Sequence, residues 1–360
     1  MKTYKNLYTK LCSPENLELA FKKARKRKTK KWYVIEFEKN LSSELEKLRH
    51  ELETGTYNPK PLQRFIIKDP KTRVIHASKF RDRVVYHALV NILEPIYEKI
   101  FIYDSYAGRL RKGAHNAITR FDRFKRKASK NGKQVRNAQN NNQIQGYALK
   151  ADIRHYFEAV NHQILIRIIK RKITDEKVIR LIQKILSNFD TKVKGRGMPL
   201  GNLTSQFFAN VYLNELDYFV KHELKAKYYI RYVDDFVVLH EDKNTLRHCQ
   251  NKINAYLKTL KLELHTDKSK IMPLRNGLTF LGYRIFYHYK LLRRSNLRKF
   301  QKSSERKPQM SKIGGGRYSY EAIHESLQGW SGYAQWANTY NLRKAMAGGI
   351  HAMCSQQNLE

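Results

Sequence analysis

Cysteine is almost absent from this chain. Cys12, Cys249 and Cys354 are the only three in 360 residues, too few and too scattered for a disulfide framework or a zinc cluster. Acids are scarce as well: 32 Asp and Glu face 71 Lys and Arg, for a formal charge of +39. An excess of that size repels itself unless the working state includes a polyanion, so nucleic acid is the expected partner and a membrane surface the rival. Long apolar runs are missing too. Nothing approaches the length of a spanning helix, and Met1-Lys2-Thr3-Tyr4 opens no signal peptide. The expectation is a soluble cytoplasmic protein with no membrane association. Apolar residues, including 23 Tyr and 16 Phe, make up 41% of the chain, enough for a core shared by two or three subdomains.

One stretch organises the rest. Lys227 to His240 reads Lys-Tyr-Tyr-Ile-Arg-Tyr-Val-Asp-Asp-Phe-Val-Val-Leu-His, two strand-forming runs pinched around adjacent acids, and predicts a hairpin with Asp234 and Asp235 at its tip. Neighbouring carboxylates at a turn repel unless a cation lies between them. With no Cys or His cluster nearby, these hard oxygen ligands suit Mg²⁺ bridging to a phosphate-bearing substrate better than zinc. A solvated Asp-Asp turn is the plain alternative, and a catalytic reading requires a third carboxylate elsewhere.

Taken in order, the chain opens with eight cations in the ten residues Lys22 to Lys31, either a solvated helix face or a phosphate-backbone contact. Trp32 to Phe37 reads as strand-like or buried. Leu41, Leu45, Leu48 and Leu52 mark an amphipathic helix stopped by Gly55. Leu62 to Lys68 and Arg73 to Ala77 form two short strands around an Asp69-Pro70-Lys71-Thr72 turn, from which Lys71 and Arg73 project. Phe80 to Phe101 reads as a helix opened by Asp82 and kinked or broken near Pro95. Tyr106 to Gly113 puts small residues beside Arg109, Arg111 and Lys112, so a nucleic-acid backbone can approach. Arg120 to Arg136 is basic, and Asn137 to Gln145 is a polar, mobile loop.

Tyr147 to Phe157 then reads as a short buried strand ending in Asp152, followed by a tight aromatic turn. Asp152 supplies the third carboxylate, 82 positions before Asp234, so the two meet only through tertiary folding. Helices follow at Gln163 to Lys172 and at Thr174 to Ser187, the latter with a Thr-Asp-Glu cap. Gly197 to Gln206 forms a turn leading into a long helix, Ser205 to Leu224. Leu246 to Leu260 is another helix, and Leu278 to Tyr283 a strand-turn unit. Strand, helices, hairpin, helix and strands in that order predict an α+β split βαβ palm with helices on one face.

Asp152 to Phe157, Pro199 to Gln206, Tyr232 to Asp235, Lys268 and Phe280 to Tyr283 occur in the order of the palm motifs of reverse transcriptases, and Pro61 to His115 resembles their fingers. The resemblance implies a right-hand polymerase: fingers over 1–146 with 163–196 contributing, a ferredoxin-like palm over 147–285, and a helical thumb over 286–360. It implies a metal triad of Asp152, Asp234 and Asp235, with the Ile153 carbonyl as a further ligand for two Mg²⁺ ions, Mn²⁺ being a possible substitute. Phe157 takes the place of an aromatic gate against a ribose 2′-hydroxyl. Lys71 and Arg73 resemble the cations that hold the triphosphate, and Lys268 the palm lysine that protonates the leaving pyrophosphate. Phe280, Leu281, Gly282 and Tyr283 resemble the primer grip. Expected partners are template RNA, the RNA/cDNA duplex and dNTPs.

One departure narrows the resemblance. Most reverse transcriptases place Gln before the Gly of the helix-opening motif, whereas this chain has Leu200-Gly201 followed by Ser205-Gln206. With Gly332 to Tyr340, that pattern is similar to the enzymes of diversity-generating retroelements. Membership there implies error-prone, adenine-mutagenic cDNA copied from a template repeat in RNA, with Leu200, Gly201 and Gln206 beside the nucleotide. It also implies a small basic helical oligomer, the accessory variability determinant, as partner. The alternatives are a group II intron-like or defence-associated reverse transcriptase, or an RNA-binding protein that keeps the fold without chemistry. In the last section Trp330, Tyr333, Ala337 and Tyr340 recur at helical intervals as a packing face, Gly314 to Gly316 is a joint, and the cations from Arg293 to Lys312 are candidates for holding the duplex.

Overall fold

In the computed structural model, residues 2–68, 72–189, 191, 193–298 and 320–346 are described. Lys71, Cys354, the Gly314 to Gly316 joint and the cations from Lys299 to Lys312 lie outside them. The chain forms two compact units, one of residues 1–113, 151–237 and 248–269 and the other of 114–150, 238–247 and 270–360.

The first unit begins with four helices, α1 (Leu7–Cys12), α2 (Pro14–Arg25), α3 (Trp32–Lys39) and α4 (Leu41–Glu53). The run Trp32 to Phe37, expected to be strand-like or buried, is helix α3, buried on one face. Its buried residues, Val34 and Phe37, stand three apart, while Trp32 is 73% exposed; a run this short satisfies either periodicity, and packing chose. The hairpin β1 (Gln63–Ile67) and β2 (Arg73–Ala77) lies where expected, β1 being one residue shorter at each end, with Phe65 opposite Ile75.

α5 (Phe80–Tyr97) runs through Pro95, which falls in its last turns, and ends two residues later. Asp82 lies in its first turn but faces inward, where it accepts from Tyr57 Oη at 2.9 Å and Lys60 N–H at 3.0 Å. The Arg109 region also departs from expectation. Its guanidinium forms two 2.8 Å bonds to Glu98 and bonds the Ile102 and Ser105 carbonyls, and Lys112 Nζ donates to Tyr103 O. These cations fasten their own loop.

β3 (Tyr147–Asp152), α7 (Tyr156–Ala159), α8 (His162–Lys170), α9 (Glu176–Ser187) and α10 (Leu203–Tyr218) follow, and α9 is capped by Asp175 accepting from Lys177 N–H and Val178 N–H. α10 continues as a π-helical turn, Phe219–Glu223. Then come β4 (Tyr228–Tyr232), β5 (Asp235–His240), α11 (Lys243–Thr259) and β6 (Lys270–Pro273). The sheet order is β4-β5-β3-β6, so the βαββαβ succession puts β3 and β5 in the centre. Both read as apolar runs because β5 is buried from Phe236 to Leu239 and β3 at Ala148, Leu149 and Ala151.

The second unit contains α6 (Ala114–Ala128) and a three-stranded sheet of β7 (Leu278–Phe280), β8 (Tyr283–Ile285) and β9 (Lys290–Leu292). Lys125, whose side chain is 4% exposed, donates to Asp122 and to the Phe286 and Tyr287 carbonyls. Asn137 to Gln145 is a closed loop: Val135 N–H bonds Gln143 O and Gln145 N–H bonds Lys133 O. The aromatic stripe expected from Trp330 to Tyr340 is broken. The helix Tyr320–Ala334 ends in a turn holding Ala337, and Tyr340 is 70% exposed. Thr339 Oγ1 bonds Ala334 O at 2.7 Å across that turn. No helix among the described residues is long and apolar enough to cross a membrane.

Candidate active site

Asp152 is the last residue of β3, Asp234 sits in the turn between β4 and β5, and Asp235 opens β5. Ile153 N–H donates to Asp234 O at 3.2 Å, which brings two acids 82 positions apart onto adjoining strand ends. Asp152 is fixed from its other side: its carbonyl accepts from His265 N–H at 2.7 Å, and its Oδ1 accepts from Lys268 Nζ at 3.0 Å. The carboxyl of Asp234 titrates above the usual carboxylate range, first because it is buried and then because Asp152 repels it. Its own backbone N–H, Lys268 and Arg73 act in the opposite direction. Asp152, Asp234, Lys268 and Arg73 therefore share one electrostatic neighbourhood.

A half-buried carboxylate pair in mutual repulsion is a donor set that a hard divalent cation relieves. Asp152 and Asp234 fit that role, and Asp235 follows Asp234 at the start of β5; among the described residues no three acidic, His or Cys side chains are already gathered as a metal-binding group.

Val233, within the turn, holds φ 56°, a left-handed conformation costly for a β-branched residue. A buried network beneath it accounts for its persistence. Arg231, fully buried, donates through Nη1 to Val233 O at 3.0 Å and Asn210 Oδ1 at 3.1 Å. Its Nε and Nη2 bond the two oxygens of Asp217 at 2.7 and 2.6 Å, and Tyr229 Oη bonds Asp217 at 2.7 Å. Asn210 Nδ2 in turn holds Ala107 O at 2.8 Å. Sequence reasoning missed these residues. The available signal was one arginine inside an apolar strand, which requires a buried acid as counter-ion.

The other expected site residues are variously placed. Leu200 is half-exposed, and its carbonyl accepts from His76 N–H of β2 at 3.0 Å. Gly201 has φ 109°, and a Cβ there would lie 2.8 Å from Ile75 Cγ2, so the turn and the β1–β2 hairpin approach as closely as glycine allows. Gln206 is exposed on α10 and Phe157 is half-buried, its carbonyl accepting from Met198 N–H at 2.7 Å. Ile153 is buried. In the second unit Phe280 and Tyr283 are fully buried, and Tyr283 Oη donates to Tyr333 O at 2.7 Å. Only the Leu281-Gly282 turn of the expected grip, with positive φ at both residues, remains partly exposed. Lys71 lies outside the described residues.

Paired acids at the ends of central strands in a βαββαβ sheet, with a lysine and an arginine acting on them, define the class of palm-type nucleotidyl-transferring polymerases. The chain belongs to the reverse transcriptase (RNA-dependent DNA polymerase) family, whose profile matches residues 66–285, and with it to the enzymes that make DNA on an RNA template. Members of this family use divalent metal ions. Similar curated proteins include YkfC of Escherichia coli, 27% identical over 68% of this chain and 72% of that protein. The group II intron-encoded protein LtrA of Lactococcus lactis is 29% identical over 64% of this chain; the match spans only 37% of LtrA. Among solved structures, telomerase from Candida albicans with a fragment of telomeric RNA is 11% identical over 76% of this chain and 55% of that one, with a TM-score of 0.48. Apo telomerase from Candida tropicalis, truncated of its C-terminal domain, is 14% identical over 67% of this chain and 56% of that one, at 0.46.

Proposed function

We propose that this chain is the reverse transcriptase of a diversity-generating retroelement, copying a template-repeat RNA into cDNA with errors opposite adenine. The observation that carries the reading is Leu200-Gly201 in place of Gln-Gly, followed by Ser205-Gln206. The closeness of Gly201 to Ile75 supports a role for this turn at the nucleotide, because it adjoins the hairpin that carries Arg73. A glutamine there can hydrogen-bond the incoming sugar and hold it for a correct pair, whereas Leu200 offers packing alone. Two Mg²⁺ ions, when bound, would activate the primer 3′-hydroxyl and neutralise the departing pyrophosphate. Asp152, Asp234 and Asp235 would hold them, with the Ile153 carbonyl as a further ligand. Lys268, at 3.0 Å from Asp152, gives its proton to the leaving group. Arg73 steadies the triphosphate, and Phe157 excludes a 2′-hydroxyl. In the family's plan, these residues sit in a palm flanked by fingers and thumb.

Copying an RNA template with Leu200→Gln tests the subtype. Misincorporation opposite adenine falls by about 5- to 150-fold, the size of one recovered hydrogen bond of roughly 1 to 3 kcal/mol. Unchanged error rates remove Leu200 from the account. The relatedness to LtrA favours a second reading, a group II intron-like enzyme of ordinary fidelity, which predicts accurate cDNA from the wild type and no need for an accessory basic partner.

A further inference from the structure

The turn between β7 and β8 is clamped by side chains to which the chemistry above gives no role. Leu281 and Gly282 join Phe280 to its cross-strand partner Tyr283 with φ 47° and 92°, the pattern of a type I′ hairpin turn, whose first position ordinarily takes Asn, Asp or Gly. Leucine there is strained and persists only where the surroundings hold the backbone. Two segments do so. From the end of β9, Arg293 N–H donates to Gly282 O at 3.0 Å. From the helix Tyr320–Ala334, Tyr333 Oη donates to the same carbonyl at 3.0 Å across 51 positions of chain, while it accepts from Asn296 Nδ2 at 2.8 Å. Tyr283 returns the contact: its Oη donates to Tyr333 O at 2.7 Å, with the ring centroids 4.8 Å apart. The approach is so close that a Cβ on Gly282 would overlap Tyr333 Oη and lie 3.2 Å from Asn296 Nδ2, so glycine is required by contact as well as by φ.

The segment that follows Tyr333 is itself fixed to the same unit. Trp336 stacks on His115 of α6, the ring centroids 4.3 Å and the planes 16° apart. Asn338 pairs both ways with β9, its N–H donating to Lys290 O at 2.8 Å and its Oδ1 accepting from Lys290 N–H at 3.0 Å. The Tyr333 hydroxyl therefore reaches the turn from an anchored base. Ring packing needs no hydroxyl; what this one adds is direction, because it sets where the Gly282 carbonyl lies.

We infer that Tyr333 is a positioning residue for the primer 3′ end: supported by Asn296 and acting through Gly282 O, it sets the shape of the Leu281-Gly282 turn that holds that end. The inference rests on reading that turn as the primer grip. Tyr333 touches no reacting atom and works through the backbone it fixes.

The test is single-turnover nucleotide addition by the full chain on a preformed RNA-template and DNA-primer duplex at saturating dNTP. The rate constant reports how the primer end is placed, and the amplitude reports the fraction of enzyme that is folded and duplex-bound. Tyr333→Phe keeps the ring, and Gly282 O keeps its bond from Arg293. Its unfolding midpoint and amplitude therefore stay near wild type, while the rate constant falls about 3- to 10-fold, the size of one hydrogen bond. Asn296→Ala acts in the same direction and by less, since Tyr333 Oη still reaches Gly282. Tyr340→Phe, the same loss of a hydroxyl at a 70% exposed position, stays within about twofold. A Tyr333→Phe chain that loses amplitude and unfolding midpoint at an unchanged rate constant makes the lock structural only and overturns the inference. Gly282→Ala, which forces the turn away from Tyr333, separates that failure from failure of the grip reading. A slowed Gly282→Ala beside an unslowed Tyr333→Phe discards the lock alone, whereas wild-type rate constants in both mean that the turn does not hold the primer.

Discussion

Two antiparallel hairpins of similar strand-forming sequence, β1–β2 and β4–β5, meet solvent in opposite ways. All five residues of β1 are exposed, including Phe65, Ile66 and Ile67. β4 and β5 are buried along their middles, and their turn is held by Arg231 in a conformation that Val233 would not adopt alone. Carboxylates that position reacting groups need a backbone that does not yield, and burial plus the Arg231 network provides it. The cation-bearing hairpin has few buried contacts and can adjust to a ligand.

The sharpest way to break this contrast is at the rigid turn. Asp234→Asn lowers nucleotide addition at least ~10³-fold, since several kcal/mol of transition-state stabilisation is lost; RNA binding measured alongside stays near wild type. Near-normal synthesis would end the assignment. The same variant has a stability signature in metal-free buffer. Because folding raises the Asp234 pKa, the stability this group lends is full in acid and lost as pH rises through the raised value. Asp234→Asn is therefore more stable than wild type at neutral pH, a difference that fades toward acid pH in denaturant titrations.

Arg231→Ala comes next. It strands Asp217 as a buried unpaired charge and costs about 3 to 5 kcal/mol in chemical unfolding. A loss near ~1 kcal/mol would mean that the network is not what braces the turn. At the exposed hairpin, Arg73→Ala raises the KM for dNTP by about tenfold, the size of one charge-assisted contact, with unfolding midpoints essentially unmoved. If it destabilised the fold as Arg231→Ala does, the distinction between the hairpins would collapse. The smallest effect belongs to Val233→Gly: relief of about 1 to 2 kcal/mol of left-handed strain, offset by roughly 0.5 to 1 kcal/mol of chain entropy. Net stability changes little, while kcat falls as the turn loosens.

Much of this was legible in the sequence. The strand ending at Asp152, the hairpin around Asp234 and the β1–β2 pair lie within about a residue of where they were expected, because short runs of strand formers between turn residues leave few other foldings. Trp32 to Phe37 read as strand-like because five apolar residues and one Glu in so short a run fit both periods. Arg109 looked like a free cation because nothing local reveals that Glu98 and two carbonyls surround it. The Arg231–Asp217 pair spans a helix and a strand, and the need for a partner was visible in sequence although the partner was not.

Charge balance, adjacent acids in a strand-forming hairpin and a third acid closing an apolar strand were fixed by residue order, since each depends on neighbours within a few positions. The meeting of Asp152 with Asp234, the contact of Asp152 with Lys268, and the strained Val233 turn were decided only in the folded chain. They depend on which strands lie side by side and which charges share a buried space, and those are properties of distant segments brought together.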